Sequence, residues 1–73
     1  MSSTAQSTAQ ITLNGEPIDV ETGTVAGLVA QLKLDATKVA VERNLAIVPR
    51  SQYAHTPITT GDRIEIVGFI GGG

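Results

Sequence analysis

The chain has 73 residues and no cysteine, and the hydrophobic 41% of its residues are almost all aliphatic. This length fits one small domain, which must be stabilised by its apolar core because it has no thiol for a disulfide or a thiolate metal site. The net charge of −2 argues against a nucleic-acid partner, which normally meets a basic surface. No apolar run approaches the roughly 20 residues of a membrane span, and no signal peptide is apparent. We therefore predict a cytoplasmic protein with no membrane partner.

The first residues form a low-complexity segment. Ser-Thr-Ala-Gln occurs twice within residues 3–10 and offers no apolar face to bury, so we predict that residues 1–9 are a disordered N-terminal extension. The folded domain is predicted to cover residues 10–70. Residues 71–73 are predicted to be a separate C-terminal glycine tail.

The domain is predicted to begin with a β-hairpin and a helix. Apolar and polar residues alternate on both sides of Asn14-Gly15, the strongest short hairpin signal, and Pro17 places the second strand at a sheet edge. Thr24 can cap the helix that follows. The residues of its apolar stripe, at helical spacing, are Val25, Leu28, Val29 and Leu32.

Shorter strands follow the helix. Residues 39–42 and 47–48 are predicted strands, residues 50–57 have no clear period, and residues 63–67 are the last strand after a turn at Thr60-Gly61-Asp62. The last strand is predicted to lie beside the first, in parallel. One helix over one face of a mixed sheet of four to five strands is the β-grasp arrangement, an α+β fold.

The chain ends in Gly71-Gly72-Gly73. Glycine has no Cβ, so such a tail is predicted to be flexible and able to enter a narrow slot of another protein. The C-terminal carboxylate of Gly73 is then the candidate reactive group. A frayed terminus is the simpler interpretation of the same residues.

Other polar residues are interpreted as surface groups. His55 has no second ligand nearby in sequence, so we predict no metal site and no catalytic residue in this chain. Asp62 is interpreted as a turn former and Glu65 as a solvent-facing residue. Arg43, Arg50 and Arg63 are interpreted as solvated charges that could pair with acidic groups of a partner.

The apolar residues that lead into the tail are Val67, Phe69 and Ile70. No need for core burial is evident for them, and a small exposed apolar patch suits docking to an enzyme. We predict that this patch, together with Arg50 and Arg63, contacts the partner.

Several segments carry a family resemblance. They are Val39-Ala40-Val41-Glu42-Arg43-Asn44, Ile47-Val48-Pro49-Arg50, Gly61-Asp62-Arg63-Ile64-Glu65-Ile66-Val67 and the terminal glycines. In this order they resemble the ThiS family, the sulfur carrier proteins of thiamine biosynthesis, over residues 10–73. Two departures are the longer N-terminal extension and Asn44-Leu45, where many relatives have Asn-Gly.

The resemblance implies a ubiquitin-like fold whose Gly73 carboxylate is adenylated by an E1-like adenylyltransferase that uses ATP and Mg²⁺. A sulfur donor, such as a cysteine desulfurase, would convert it to a thiocarboxylate, and thiazole synthase would take the sulfur. On this view the chain binds no cofactor and is a protein cosubstrate, not an enzyme.

Three alternatives stay open at this point. The small sulfur-carrier subunit of molybdopterin synthase shares the fold and tail chemistry, although the proline-free residues 67–70 favour the thiamine carrier. A ubiquitin-like protein modifier would use the same activated carboxylate on lysines of other proteins. A pure interaction module would not need its tail.

Overall fold

The computed structural model describes residues 8–21 and 23–68. It contains one α-helix and five β-strands within these ranges. In chain order they are β1 (Ala9–Leu13), β2 (Glu16–Val20), α1 (Val25–Gln31), β3 (Val39–Arg43), β4 (Ala46–Val48) and β5 (Arg63–Gly68). Thus β1 begins at Ala9, the last residue of the predicted extension, and residues 1–7 lie outside the described part of the chain.

The five strands form one mixed sheet in the order β2-β1-β5-β3-β4. β5 is parallel to β1, with Thr12 opposite Arg63, and antiparallel to β3. The predicted insertion of the last strand beside the first is therefore confirmed. The strand that contains Pro17 lies at the edge, as its missing N–H requires.

The first hairpin turns at the predicted dipeptide. Ile11 lies opposite Ile18, and the turn residues Asn14 and Gly15 have φ angles of 51° and 86°. Two successive positive φ angles match the right-handed twist of the flanking strands, which explains the preference for Asn-Gly here.

The helix is held at both ends by local interactions. The Thr24 hydroxyl oxygen accepts a hydrogen bond from the Gly27 N–H at 3.1 Å, as its predicted capping role requires. Lys33, with φ of 60°, follows the helix in the left-handed conformation that commonly ends helices. Val25, Leu28 and Val29 are buried, whereas Leu32 is half-buried at the margin of the core.

One face of the sheet packs against α1. The other, here called the open face, is not covered by any element of residues 8–21 and 23–68. The core is almost entirely aliphatic. Its members are Ile11, Val20, Val25, Leu28, Val29, Val39, Val41, Val48, Tyr53, Ile58, Ile64 and Ile66. The alternate residues of β3, β4 and β5 point to the open face, because successive side chains of a strand point in opposite directions.

Two short 3-10 helices were not predicted. They cover Ala36–Lys38 and Arg50–His55, and both are too short for a periodic pattern to reveal them. The second turns Tyr53 into the core, where its hydroxyl donates to the Val39 carbonyl oxygen at 3.3 Å. Residues 50–57, for which the sequence showed no clear period, therefore contain a 3-10 helix that contributes Tyr53 to the core. Within the described residues, no helix is long and apolar enough to cross a membrane.

Candidate functional site

The strand before the glycine tail lies in the middle of the sheet. β5 is paired with β1 on one side and with β3 on the other, and the β3 pairing continues to its last residue, with Val39 opposite Gly68. Phe69, Ile70, Gly71, Gly72 and Gly73 lie outside the described residues. The structure thus describes the chain up to Gly68, and the roles predicted for these five residues stay predictions.

An asparagine side chain extends the pairing of β5 beyond the end of β1. The Ile66 N–H donates to Asn14 Oδ1 at 2.9 Å, and Asn14 Nδ2 donates to the Ile66 carbonyl oxygen at 3.1 Å. The Asn14 carboxamide thereby makes the two hydrogen bonds to Ile66 that the backbone of β1 would make if that strand continued past Leu13. It satisfies backbone groups close to the start of the tail.

The second hairpin, formed by β3 and β4 with Asn44 and Leu45 at its turn, holds the beginning of β5 in a similar way. Asn44 has a φ of 52°, and its Oδ1 accepts from the Arg63 N–H at 2.8 Å. Its Nδ2 donates to Asp62 Oδ1 at 3.0 Å. Both hairpin turns therefore use an asparagine to hold the strand that leads to the tail.

Asp62 is the one buried charged residue in the described part of the chain. Its carboxylate accepts hydrogen bonds from Arg43 Nε and from the Thr59 N–H, both at 2.8 Å, in addition to Asn44. Burial alone would raise the pKa of the Asp62 carboxyl, but these hydrogen bonds outweigh it, and the pKa is lowered from its usual value. The interpretations of Asp62 as a simple turn former and of Arg43 as a solvated charge are incomplete, because the two form an ion pair.

The lowered pKa of Asp62 predicts a loss of stability in acid. A carboxyl group whose pKa is lower in the folded state stabilises the fold above its unfolded pKa of about 3.9, and this contribution disappears as the pH falls through the folded value. We expect the free energy of unfolding to decrease below about pH 4. Urea unfolding at a series of pH values would show this decrease, and Asp62→Asn should flatten it. An equal acid dependence in Asp62→Asn would assign it to other carboxylates.

The predicted docking residues fall into two places. Val67, which is 63% exposed, and Arg63 both lie on β5 and point to the open face of the sheet. Arg63 donates to Glu65 at 3.0 Å in an exposed ion pair. Arg50 begins the second 3-10 helix, outside the sheet. The structure therefore groups Val67 with Arg63 and places Arg50 on a different element.

The open face next to Val67 combines apolar and acidic residues. Ile47 of β4 lies opposite Glu42 of β3, which lies opposite Glu65 of β5. Ile47 is 74% exposed. Sequence reasoning placed Ile47 in a strand but did not identify it as exposed, because a three-residue strand gives no reliable alternation.

No cluster of three or more metal-ligating side chains occurs in residues 8–21 and 23–68. His55 is exposed at the end of the second 3-10 helix, as the surface interpretation expected.

A sequence profile of the ThiS family matches residues 9–73. The match includes all five strands, the helix and the glycine tail. The chain belongs to the ThiS family. The predicted resemblance is confirmed, and the match begins at the first residue of β1.

Similar proteins support the same family. The sulfur carrier protein ThiS of Bacillus subtilis (strain 168) is 40% identical over 63 residues, which are 84% of this chain and 96% of that protein. A crystal structure of the thiamine biosynthesis protein ThiS from Geobacter metallireducens is 34% identical and superimposes with a TM-score of 0.75, covering 88% of this chain and 99% of that one. The predicted β-grasp fold is therefore confirmed.

The chain also resembles part of each of two larger proteins. Thiazole synthases of Paramagnetospirillum magneticum and Magnetococcus marinus are each 49% identical over 65 residues. These residues are 88% of this chain but only 20% of each thiazole synthase. The chain therefore spans about a fifth of the length of these relatives.

Proposed function

We propose that this chain is a sulfur carrier protein of thiamine biosynthesis, in which the Gly73 carboxylate is converted to a thiocarboxylate that supplies sulfur for the thiazole ring. The observation that carries the proposal is the family match, which continues without interruption from β1 to Gly73. The position of β5 supports it, because the chain leads toward the tail from a central strand that is paired on both sides.

The chemistry requires activation of the tail. An α-carboxyl group has a pKa of about 3.3–3.7, so it is a carboxylate near neutral pH and a poor electrophile. Attack of this carboxylate on the α-phosphorus of ATP gives an acyl-adenylate and releases pyrophosphate. Attack of hydrosulfide on the acyl carbon then expels AMP and leaves a thiocarboxylate with loss of one proton. One oxygen is thereby replaced by one sulfur.

The catalytic groups for these steps are proposed to belong to partners. An E1-like adenylyltransferase would supply the ATP and Mg²⁺ sites. A cysteine desulfurase would supply the sulfur as a persulfide, which a thiol reductant would release as hydrosulfide while the thiol is oxidised to a disulfide. Thiazole synthase would accept the sulfur from the carrier, which is supported by the two thiazole synthases that contain a segment similar to this chain. The carrier would be a cosubstrate in the cytoplasm, where ATP is available.

The proposed contact surface for these enzymes begins at the end of β5. Val67 is the described part of an apolar patch that continues in sequence with Phe69 and Ile70. Arg63 on the same strand and Arg50 at the start of the second 3-10 helix would meet acidic groups of the partner.

The test is the intact mass of the chain after incubation with ATP, Mg²⁺, a ThiS-activating enzyme and sulfide. A gain that matches the replacement of one oxygen by sulfur is expected only when ATP is present. An unchanged mass, with an activating enzyme that modifies a known carrier in parallel, would remove the proposal and favour an interaction module.

The thiamine pathway is preferred to molybdopterin synthesis because the relatives include the ThiS protein of Bacillus subtilis and two thiazole synthases. A strain that lacks this chain and encodes no second carrier should require added thiamine for growth. Growth without thiamine, combined with loss of molybdenum-enzyme activity, would favour the molybdopterin subunit. Isopeptide-linked adducts in cell extracts would favour the protein modifier.

A further inference from the structure

The turn between β3 and β4 contains a leucine in a backbone conformation that leucine disfavours. Leu45 has a φ of 73°, and 70% of its surface is exposed. The equivalent place in the first hairpin is occupied by Gly15, at φ of 86°. A bulky residue with positive φ is strained, and Leu45 is not a member of the core that could compensate for this strain. Backbone strain of this kind is concentrated at functional sites.

A second unfavourable feature lies on the adjoining strands. Glu42 and Glu65 face each other directly across β3 and β5, and like charges in this arrangement destabilise a sheet. Arg63 neutralises Glu65. No hydrogen bond or ion pair of the Glu42 carboxylate occurs within residues 8–21 and 23–68, although exposed Ile47 lies beside it.

We propose that Leu45, Ile47 and Glu42 form a docking surface for thiazole synthase, which would offer an apolar pocket bordered by an arginine or lysine. This inference rests on the proposed function. The free Glu42 carboxylate beside exposed Ile47 matches a cation next to an apolar pocket. Both the strained leucine and the opposed glutamates lower the stability of the free protein, and contact with such a partner would give each of them a favourable interaction.

The geometry of the sheet favours a partner of enzyme size. Asn44 binds the first residue of β5, so Leu45 lies near the start of this strand, whereas the tail begins at its other end. The six residues of β5 span about 20 Å. A partner that contacts both Leu45 and the tail must therefore extend along the length of β5. We assign this partner as thiazole synthase because two thiazole synthases include a segment 49% identical to this chain.

The first test measures the affinity of the full 73-residue chain for thiazole synthase by calorimetry. Leu45→Gly should weaken binding about 10-fold or more, the range of an anchoring side chain, while its Tm stays equal to or above that of the parent because glycine accepts positive φ. Leu34→Gln, which alters an exposed leucine after the helix, is the matched control and should bind normally. Unchanged binding by Leu45→Gly, or weaker binding together with a lower Tm, would overturn the inference.

The second test separates charge from shape. Glu42→Gln should weaken binding and reduce its dependence on salt, because one charge pair is lost, with an unchanged or higher Tm. Thiocarboxylate formation by both variants should equal that of the parent, so the proposed function would survive if only this docking surface were wrong. A parent chain that is not converted to a thiocarboxylate would instead remove the proposed function itself.

Discussion

Deletion of Gly73, or addition of one alanine after it, should reduce thiocarboxylate formation by at least about 100-fold, because a misplacement of only 1 Å in an active site can have an effect of that size. Each change leaves a terminal carboxylate but moves it along the tail by about 3.5 Å, the length of one residue. The activating enzyme would then hold the wrong atom next to ATP. The measurement is the initial rate of the oxygen-to-sulfur mass change.

The matched control removes residues 2–7 at the other end of the chain. This truncation leaves β1 intact, since the strand begins at Ala9, and should react at the parent rate. Circular dichroism and Tm of both tail variants should equal those of the parent, because the altered residue lies beyond β5. Normal sulfur transfer by the alanine-extended chain would contradict the proposed function.

Among single substitutions of charged residues in the described part of the chain, Asp62→Ala is expected to give the largest loss of stability, because Asp62 is the buried one. It leaves the Thr59 N–H, the Asn44 amide and the Arg43 guanidinium without their shared acceptor. Unpaired groups of this kind typically destabilise a protein by about 2–4 kcal/mol. In a domain of this size such a loss lowers Tm by about 10–20 °C.

A second ion pair provides the comparison for this prediction. Glu65→Ala removes the exposed pair with Arg63, which is 3.0 Å long, and should change stability by less than about 1 kcal/mol. Thermal unfolding of the two variants side by side tests the difference. Small and equal decreases of Tm in the two variants would contradict the prediction, because they would show that water can replace the hydrogen bonds of Asp62 without a loss of stability.

Most of the fold could be predicted from the sequence, because the α-helix and the strands carried local signals, unlike the two 3-10 helices. Asn14-Gly15 specifies a hairpin, the stripe at Val25, Leu28 and Val29 specifies a helix, and Pro17 specifies an edge strand. Once β2 is at the edge, few arrangements remain for β5, and parallel pairing with β1 follows. The order of the strands in the sheet could therefore be predicted without knowledge of the contacts between side chains.

The interactions around β5 could not be predicted in this way. The two carboxamides meet β5 across 52 and 19 positions of the chain, and no local pattern reports such distances. Asn14 was recognised only as a turn residue, and its hydrogen bonds to the Ile66 backbone were not predicted. Arg43 and Asp62 looked like ordinary surface charges because their pairing depends on how the second hairpin meets the last turn.

The central position of β5 determines how the domain responds to mechanical load. An enzyme that draws the tail into its active site pulls lengthwise on this strand, not sideways. The hydrogen bonds to β1, to β3 and to the Asn14 carboxamide then resist the force together, in shear, whereas a strand at the sheet edge could be peeled away one bond at a time. We therefore expect that, in the proposed function, the domain stays folded while a partner enzyme binds and releases its C-terminal end.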